Sequence, residues 1–200
     1  VAQAELRVQI RDNTLEIFGG PGPDRFDIRR ASPTSVFVHI DDGHDGSVDH
    51  LVDRTQFGAV VVRAGRGDDV FGITSSQGSP FEGKVVVLSG EEGDDDILGG
   101  TGTETVQGGE GDDVLSGASG NDSVDGGPGN DTVFWRVTDG NDTFIGGAGD
   151  DTLVYQGDDG GDVLELIRGT SSPRIVAGDG RSTMTLSSVD TFVAQLRGGA

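Results

Sequence analysis

Acidic side chains recur through the middle of this chain at a fixed interval. Asp95, Glu104, Asp113, Asp122 and Asp131 stand nine residues apart, and Asp142, Asp151 and Asp162 continue the series across two short insertions. Each is sixth in a nine-residue frame, G-G-x-G-x-D-x-U-x, in which U is apolar. The copies are 90–98 (GEEGDDDIL), 99–107 (GGTGTETVQ), 108–116 (GGEGDDVLS), 117–125 (GASGNDSVD), 126–134 (GGPGNDTVF), 137–145 (VTDGNDTFI), 146–154 (GGAGDDTLV) and 157–165 (GDDGGDVLE). Isolated copies at 19–27 (GGPGPDRFD) and 64–72 (AGRGDDVFG) add Asp24 and Asp69. Carboxylates in register, set in glycine-rich loops that turn their own carbonyls inward, form a set of hard oxygen donors. Six to eight such oxygens at ~2.3–2.6 Å suit Ca²⁺, whereas softer transition metals favour imidazole and thiolate.

The frame also says how these loops are held. Glycines permit positive φ, so six residues can make a tight turn. The x-U-x triplet is one short strand of about 10 Å. A strand that short is stable only when copies stack and bury a continuous ladder of U side chains. That ladder is Ile97, Val106, Leu115, Val124, Val133, Phe144, Leu153 and Leu164, apolar in every copy.

These repeats resemble the repeats-in-toxin (hemolysin-type) calcium-binding family of bacterial secreted proteins over residues 90–165. The resemblance implies a right-handed parallel β-roll in which repeat i stacks on repeat i+2 and several Ca²⁺ ions lie between successive loops. Carried over residue by residue, one edge presents Asp95, Asp113, Asp131 and Asp151, and the other Glu104, Asp122, Asp142 and Asp162. Asp24 and Asp69 are expected to act likewise. Some positions depart from the pattern. Glu104 is longer than Asp and follows Thr103, Val137-Thr138 lack the paired glycines, and the insertions Trp135-Arg136 and Tyr155-Gln156 could bulge the roll or split it. The resemblance also implies a secreted or cell-surface location and a chain cut just before another loop at Gly198-Gly199-Ala200.

Composition agrees with a cation-dependent fold. Of 200 residues only 32% are apolar, 36 are glycine, none is cysteine, and the net charge is −21. Residues 90–165 hold 20 acidic residues and one basic residue, Arg136. Such a block ordinarily stays disordered and repels phosphate, which excludes nucleic acid as its partner. No apolar run is long enough to span a membrane. Val1-Ala2-Gln3-Ala4 has no signal-peptide layout, as in a mature chain or a fragment.

The flanks read as β structure, giving three segments: 1–89, 90–165 and 166–200. Alternating runs predict strands at 5–10, 14–18, 35–40, 59–63, 85–88, 174–177, 183–186 and 191–196, and no helical period appears. The stretch 41–53 reads as an exposed polar loop, its His44, Asp45, Asp49 and His50 a solvated set rather than a metal cluster. It fails as an EF-hand because Gly43 and Val52 stand at ligand positions. GSPFEGK at 78–84 imitates a phosphate loop, but Val85 replaces the Ser or Thr. The sequons at Asn121, Asn130 and Asn141 fall inside repeat loops and read as repeat chemistry. His-Glu-x-x-His and Gly-x-Ser-x-Gly are absent, and no carboxylate pair suggests a catalytic role. The expected function is therefore non-catalytic: a calcium-dependent folding and structural module, with an adhesive or surface-layer segment, or a fragment of a larger secreted enzyme, as alternatives.

Overall fold

A computed structural model of the chain describes residues 6–41, 48–74, 79–136, 138–157, 164–167, 174–177 and 182–195. These residues are all-β apart from a single 3₁₀ turn at Arg54–Gln56. The strands are β1 (Arg7–Arg11), β2 (Thr14–Phe18), β3 (Arg25–Ser32), β4 (Ser35–Asp41), β5 (Val48–Asp53), β6 (Ala59–Arg66), β7 (Val70–Thr74), β8 (Val85–Glu92), β9 (Asp96–Leu98) and β10 (Glu104–Glu110). They continue as β11 (Val114–Ser116), β12 (Ser123–Pro128), β13 (Thr132–Arg136), β14 (Asn141–Ala148), β15 (Thr152–Gln156), β16 (Leu164–Ile167), β17 (Arg174–Ala177), β18 (Ser182–Ser187) and β19 (Thr191–Gln195).

The chain alternates between two sheets, laying one parallel strand on each per turn. The first sheet stacks β2-β6-β8-β10-β12-β14-β18 and the second β3-β7-β9-β11-β13-β15-β19, every neighbour parallel within these runs. Antiparallel strands flank them: β1 on β2, the β4–β5 hairpin on β3, and β17 with β16 on β18. The parallel stack thus begins well before Gly90 and ends well after residue 165.

Register explains why the nonapeptide works. Leu88 pairs with Val106 and Val106 with Val124, while Ile97 pairs with Leu115 and Leu115 with Val133. Two repeats therefore make one turn, and repeat i lies on repeat i+2. The U side chains Ile97, Val106, Leu115, Val124, Val133, Phe144 and Leu153 point between the sheets and are buried. Leu164 is in β16, and its side chain lies outside the described residues.

The insertions neither bulge nor split the stack. They lengthen β13 and β15 together, so that Trp135 pairs with Tyr155 and Arg136 with Gln156. Trp135 and Tyr155 are buried with ring centroids 5.4 Å apart, which converts a break in the frame into extra core.

Two expectations need correction. Residues 48–53 are not loop. They form β5, paired antiparallel with β4 from Ser35↔Asp53 to Ile40↔Val48. Its alternation is masked by polar residues because an edge strand on an exposed hairpin buries little. Secondly, strands of the first sheet exceed the x-U-x triplet. β10, β12 and β14 run on through the paired glycines, whose backbone stays in the ladder. Only β9 and β11 keep three residues.

Candidate calcium-binding loops

From β2–β3 to β14–β15, each turn from the first sheet to the second is a glycine-rich loop ending at an aspartate. These aspartates form one column, tied by a repeating hydrogen bond. The backbone N–H of Asp24 donates to Asp69 Oδ1 at 2.6 Å, Asp69 to Asp95 at 2.8 Å, Asp95 to Asp113 at 2.8 Å, Asp113 to Asp131 at 2.9 Å and Asp131 to Asp151 at 3.0 Å. The opposite edge carries a second column, where Glu104 N–H donates to Asp122 Oδ1 at 2.8 Å and Asp122 N–H to Asp142 Oδ1 at 2.7 Å. The two edges group these residues as the family resemblance implies, and Asp24 and Asp69 join the first of them. Asp162 lies outside the described residues.

The hydrogen bond uses one carboxylate oxygen. The other, Oδ2, is buried without a hydrogen-bond partner in Asp69, Asp95, Asp113, Asp122, Asp131 and Asp151. An orphaned buried carboxylate oxygen is costly, and one per turn is a periodic demand for a cation. Carbonyls converge on the same places. A methyl group at Gly90 would overlap both Asp95 Oδ2 and Gly108 O, one at Gly108 both Asp113 Oδ2 and Gly126 O, and one at Gly126 both Asp131 Oδ2 and Gly146 O. The first glycine of the frame is thus required by crowding: it leaves room for a carboxylate oxygen of its own loop beside a carbonyl oxygen of the next. The fourth glycine is required by conformation, with φ of +134° at Gly93 and Gly111. Among the described residues no three His, Cys, Asp or Glu side chains converge into a metal cluster. The donor set is instead a carboxylate per loop supplemented by backbone carbonyls, an all-oxygen set that fits Ca²⁺.

Electrostatics point the same way. Burial, with neighbouring carboxylates adding to it, pushes Asp69 and Asp113 up to about 7 and Asp122 up to about 8. Burial raises Asp95, Asp131 and Asp142 to about 6, and also raises Asp151 and Glu104. Without a cation these groups resist ionisation.

Glu104 and Asp24 differ from the six aspartates with an unpartnered oxygen. Glu104 Oε2 accepts from Gly100 N–H at 3.2 Å and Asp24 Oδ2 from Gly20 N–H at 2.5 Å, so in both the second carboxylate oxygen is occupied by its own loop.

Three features escaped the frame. Position five forms its own exposed ladder: Asp94 N–H donates to Asp68, Asp112 N–H to Asp94, Asn130 N–H to Asp112 and Asp150 N–H to Asn130. Asn121 plays that part on the other edge, accepting from Asn141 N–H at 3.0 Å. The recurring Asp or Asn before position six was the visible signal. Asp139 is buried, accepts from Arg136 N–H at 2.7 Å, and is pushed by burial up to about 6. It occupies position three of the copy that lacks paired glycines, where nothing in the frame flags it. The third is Asp190, whose Oδ2 accepts from Asp151 N–H at 3.2 Å.

Among the described residues the other motifs assemble no site. His39 Nδ1 and Asp49 Oδ1 are 2.6 Å apart on the exposed β4–β5 hairpin, while His44 and Asp45 lie outside the described residues. Lys84 donates to Phe57 O at 2.5 Å and leads into strand β8, not the helix a phosphate loop needs. No helix among the described residues is long and apolar enough to cross a membrane.

No curated protein matches the chain. The family described as the RTX calcium-binding nonapeptide repeat (4 copies) matches residues 86–103, 98–133 and 136–164, the same stretch that holds the consecutive loops of both columns. That repeat block therefore belongs to the RTX calcium-binding repeat family, a structural module that takes up several Ca²⁺ ions.

Proposed function

We propose that this chain is a calcium-operated folding module of an exported or cell-surface bacterial protein: an acidic array that stays expanded where calcium is scarce and folds where it is plentiful. The observation that carries this reading is the row of buried, unpartnered Oδ2 atoms at Asp69, Asp95, Asp113, Asp131 and Asp151. A roll that buries uncompensated carboxylates has its stability tied to the ion that compensates them. Ligands binding only the folded state each add RT ln(1 + [L]/Kd), about 2.7 kcal/mol at 100-fold Kd.

In this reading Asp24, Asp69, Asp95, Asp113, Asp131 and Asp151 hold ions along one edge, and Asp122, Asp142 and Asp162 along the other, with loop carbonyls completing each shell. Asp24 and Glu104, whose second oxygens are held by their own loops, are weak members. The division into 1–89, 90–165 and 166–200 is one of charge density: the middle segment carries most of the ions, and the flanks continue the stack at its ends. The module itself is non-catalytic, a reading supported by the donor sets, which are used up in paired loops rather than open to a substrate. Export follows from the same physics, because the fold needs the higher calcium found outside cells.

Trp135, the single tryptophan, is buried against Tyr155 inside the roll and reports folding directly. Its emission should shift to the blue on adding millimolar Ca²⁺ to chelator-treated protein, and return on adding chelator. Blue-shifted emission that chelator leaves unchanged would overturn the proposal.

A further inference from the structure

The first column does not stop at the last matched repeat. β18 pairs with β14 so that Leu186 lies on Phe144 and Ser187 on Ile145. Ser188 therefore follows in register with Gly146, the first residue of a repeat loop. From there the chain reaches the second sheet in a much shorter turn, through Val189 and Asp190, to Thr191, which lies on Thr152. This turn has no paired glycines and does not fit the nonapeptide.

Despite that, it reproduces the loop's donors. Ser188 adopts φ +51°, the left-handed region normally left to glycine. A methyl group at Gly146 would overlap Ser188 O and Asp151 Oδ2 together, as Gly126 would meet Gly146 O and Asp131 Oδ2 one turn earlier. Asp190 supplies the carboxylate, accepting from Asp151 N–H at 3.2 Å as Asp151 accepts from Asp131. Asp190 N–H and Thr191 N–H in turn donate to Asp151 O at 3.1 and 2.9 Å. The independent pointer to a ligand is Asp151 itself, fully buried, with Oδ2 unpartnered and directed to this interval.

We propose that Ser188 O, Asp190 and Asp151 Oδ2 form a further Ca²⁺ site that closes the column outside the repeat sequence and clips the last rung, β18 and β19, onto the roll. The inference rests on the calcium reading of the array and extends it to residues without the motif. The site is the exposed end of the column: Asp190 is open to solvent, and no further rung follows it among the described residues. It therefore trades ions with solvent more readily than the interior intervals, and the last rung docks and frays with calcium while the array beneath stays folded.

Equilibrium dialysis against buffered free Ca²⁺ tests this on the full chain, comparing wild type with Asp190→Ala and Asp190→Asn. The expected result is one ion fewer per chain in Asp190→Ala at a calcium level that saturates wild type, with the circular dichroism of the array retained. Hydrogen exchange should locate the loss: the amides of Asp190 and Thr191 lose calcium-dependent protection, while that of Asp113 keeps it. Should Asp190→Ala fail to fold, Asp190→Asn decides, because it keeps an acceptor for Asp151 N–H and removes only the charge. An unchanged ion count in a folded Asp190→Ala, or in Asp190→Asn if the alanine variant does not fold, overturns this site while leaving the array reading intact. No bound calcium in wild type overturns both.

Discussion

Asp113 and Glu104 occupy the same position of the frame and are held differently. Asp113 presents an orphaned Oδ2 between loops with neighbours on both sides, whereas Glu104 has folded back onto Gly100 N–H. Asp113→Ala removes a charged ligand from the interior of the column and should raise the calcium midpoint for folding several-fold. Glu104→Ala should shift it only slightly. A calcium titration of both variants checks the order, and a larger effect at Glu104 would mean that the ligand register is wrong. Glu91 gives a second prediction. It stands at φ +82° where the equivalent residues Gly109, Gly127 and Gly147 are glycines. Glu91→Gly should relieve about 1 kcal/mol of backbone strain. Its ion pair with Arg63, 3.7 Å long and on partly exposed side chains, contributes little in return. The variant should fold at lower calcium than wild type, and a higher midpoint would contradict this strain.

The strands owe their stability to stacking, so the elements most sensitive to mutation are the inward rungs. Leu115 lies between Ile97 and Val133 and is fully buried. Leu115→Ala should cost roughly 2–5 kcal/mol, read as a lower urea midpoint in saturating calcium. Leu98, exposed on the outer face of the same sheet, should tolerate alanine with little change. At this scale the sequence was most informative where one period governed both chemistry and packing. The family resemblance that the nonapeptide frame carries implied the stacking of i on i+2 and the two carboxylate edges, and the frame itself foretold the stacked, buried U ladder, because each loop and strand repeats the same constraint. Alternation located most flanking strands for the same reason. It failed at β5, where polar residues on an edge hide the pattern, and at Asp190, where a three-residue turn puts a carboxylate and a carbonyl where six glycine-rich residues do elsewhere. What the frame could not supply was the second use of each carboxylate. One oxygen caps the preceding rung's amide and, in six of the aspartates, the other is left buried without a partner, a division that depends on the stacking of whole loops.

Over the whole molecule, burial of like charges links folding to pH. In the calcium-free roll Asp69, Asp113 and Asp122 titrate at about 7 to about 8, and Asp95, Asp131 and Asp142 at about 6, against the ordinary value of 3.8. Between roughly pH 4 and pH 8 the folded chain therefore binds more protons than the unfolded one. Stability of the calcium-free roll is greatest below that window and falls as pH rises through it. In chelator, the protein should gain β structure on acidification from pH 8 to pH 5 and lose it again on return. β content in chelator that is independent of pH over this range would contradict the burial of these carboxylates.

The dependence of the fold on calcium is tested most directly by far-ultraviolet circular dichroism of the full chain at pH 7.5, in chelator, in millimolar Mg²⁺ and in millimolar Ca²⁺. Carbonyl and carboxylate oxygens in wide glycine loops suit the larger ion, whereas Mg²⁺ demands a tight octahedron and keeps its waters. A disordered spectrum is expected in chelator and in Mg²⁺, and a cooperative change to β structure in Ca²⁺. A full β spectrum in chelator, or equal folding by both ions, would contradict a fold that depends on calcium.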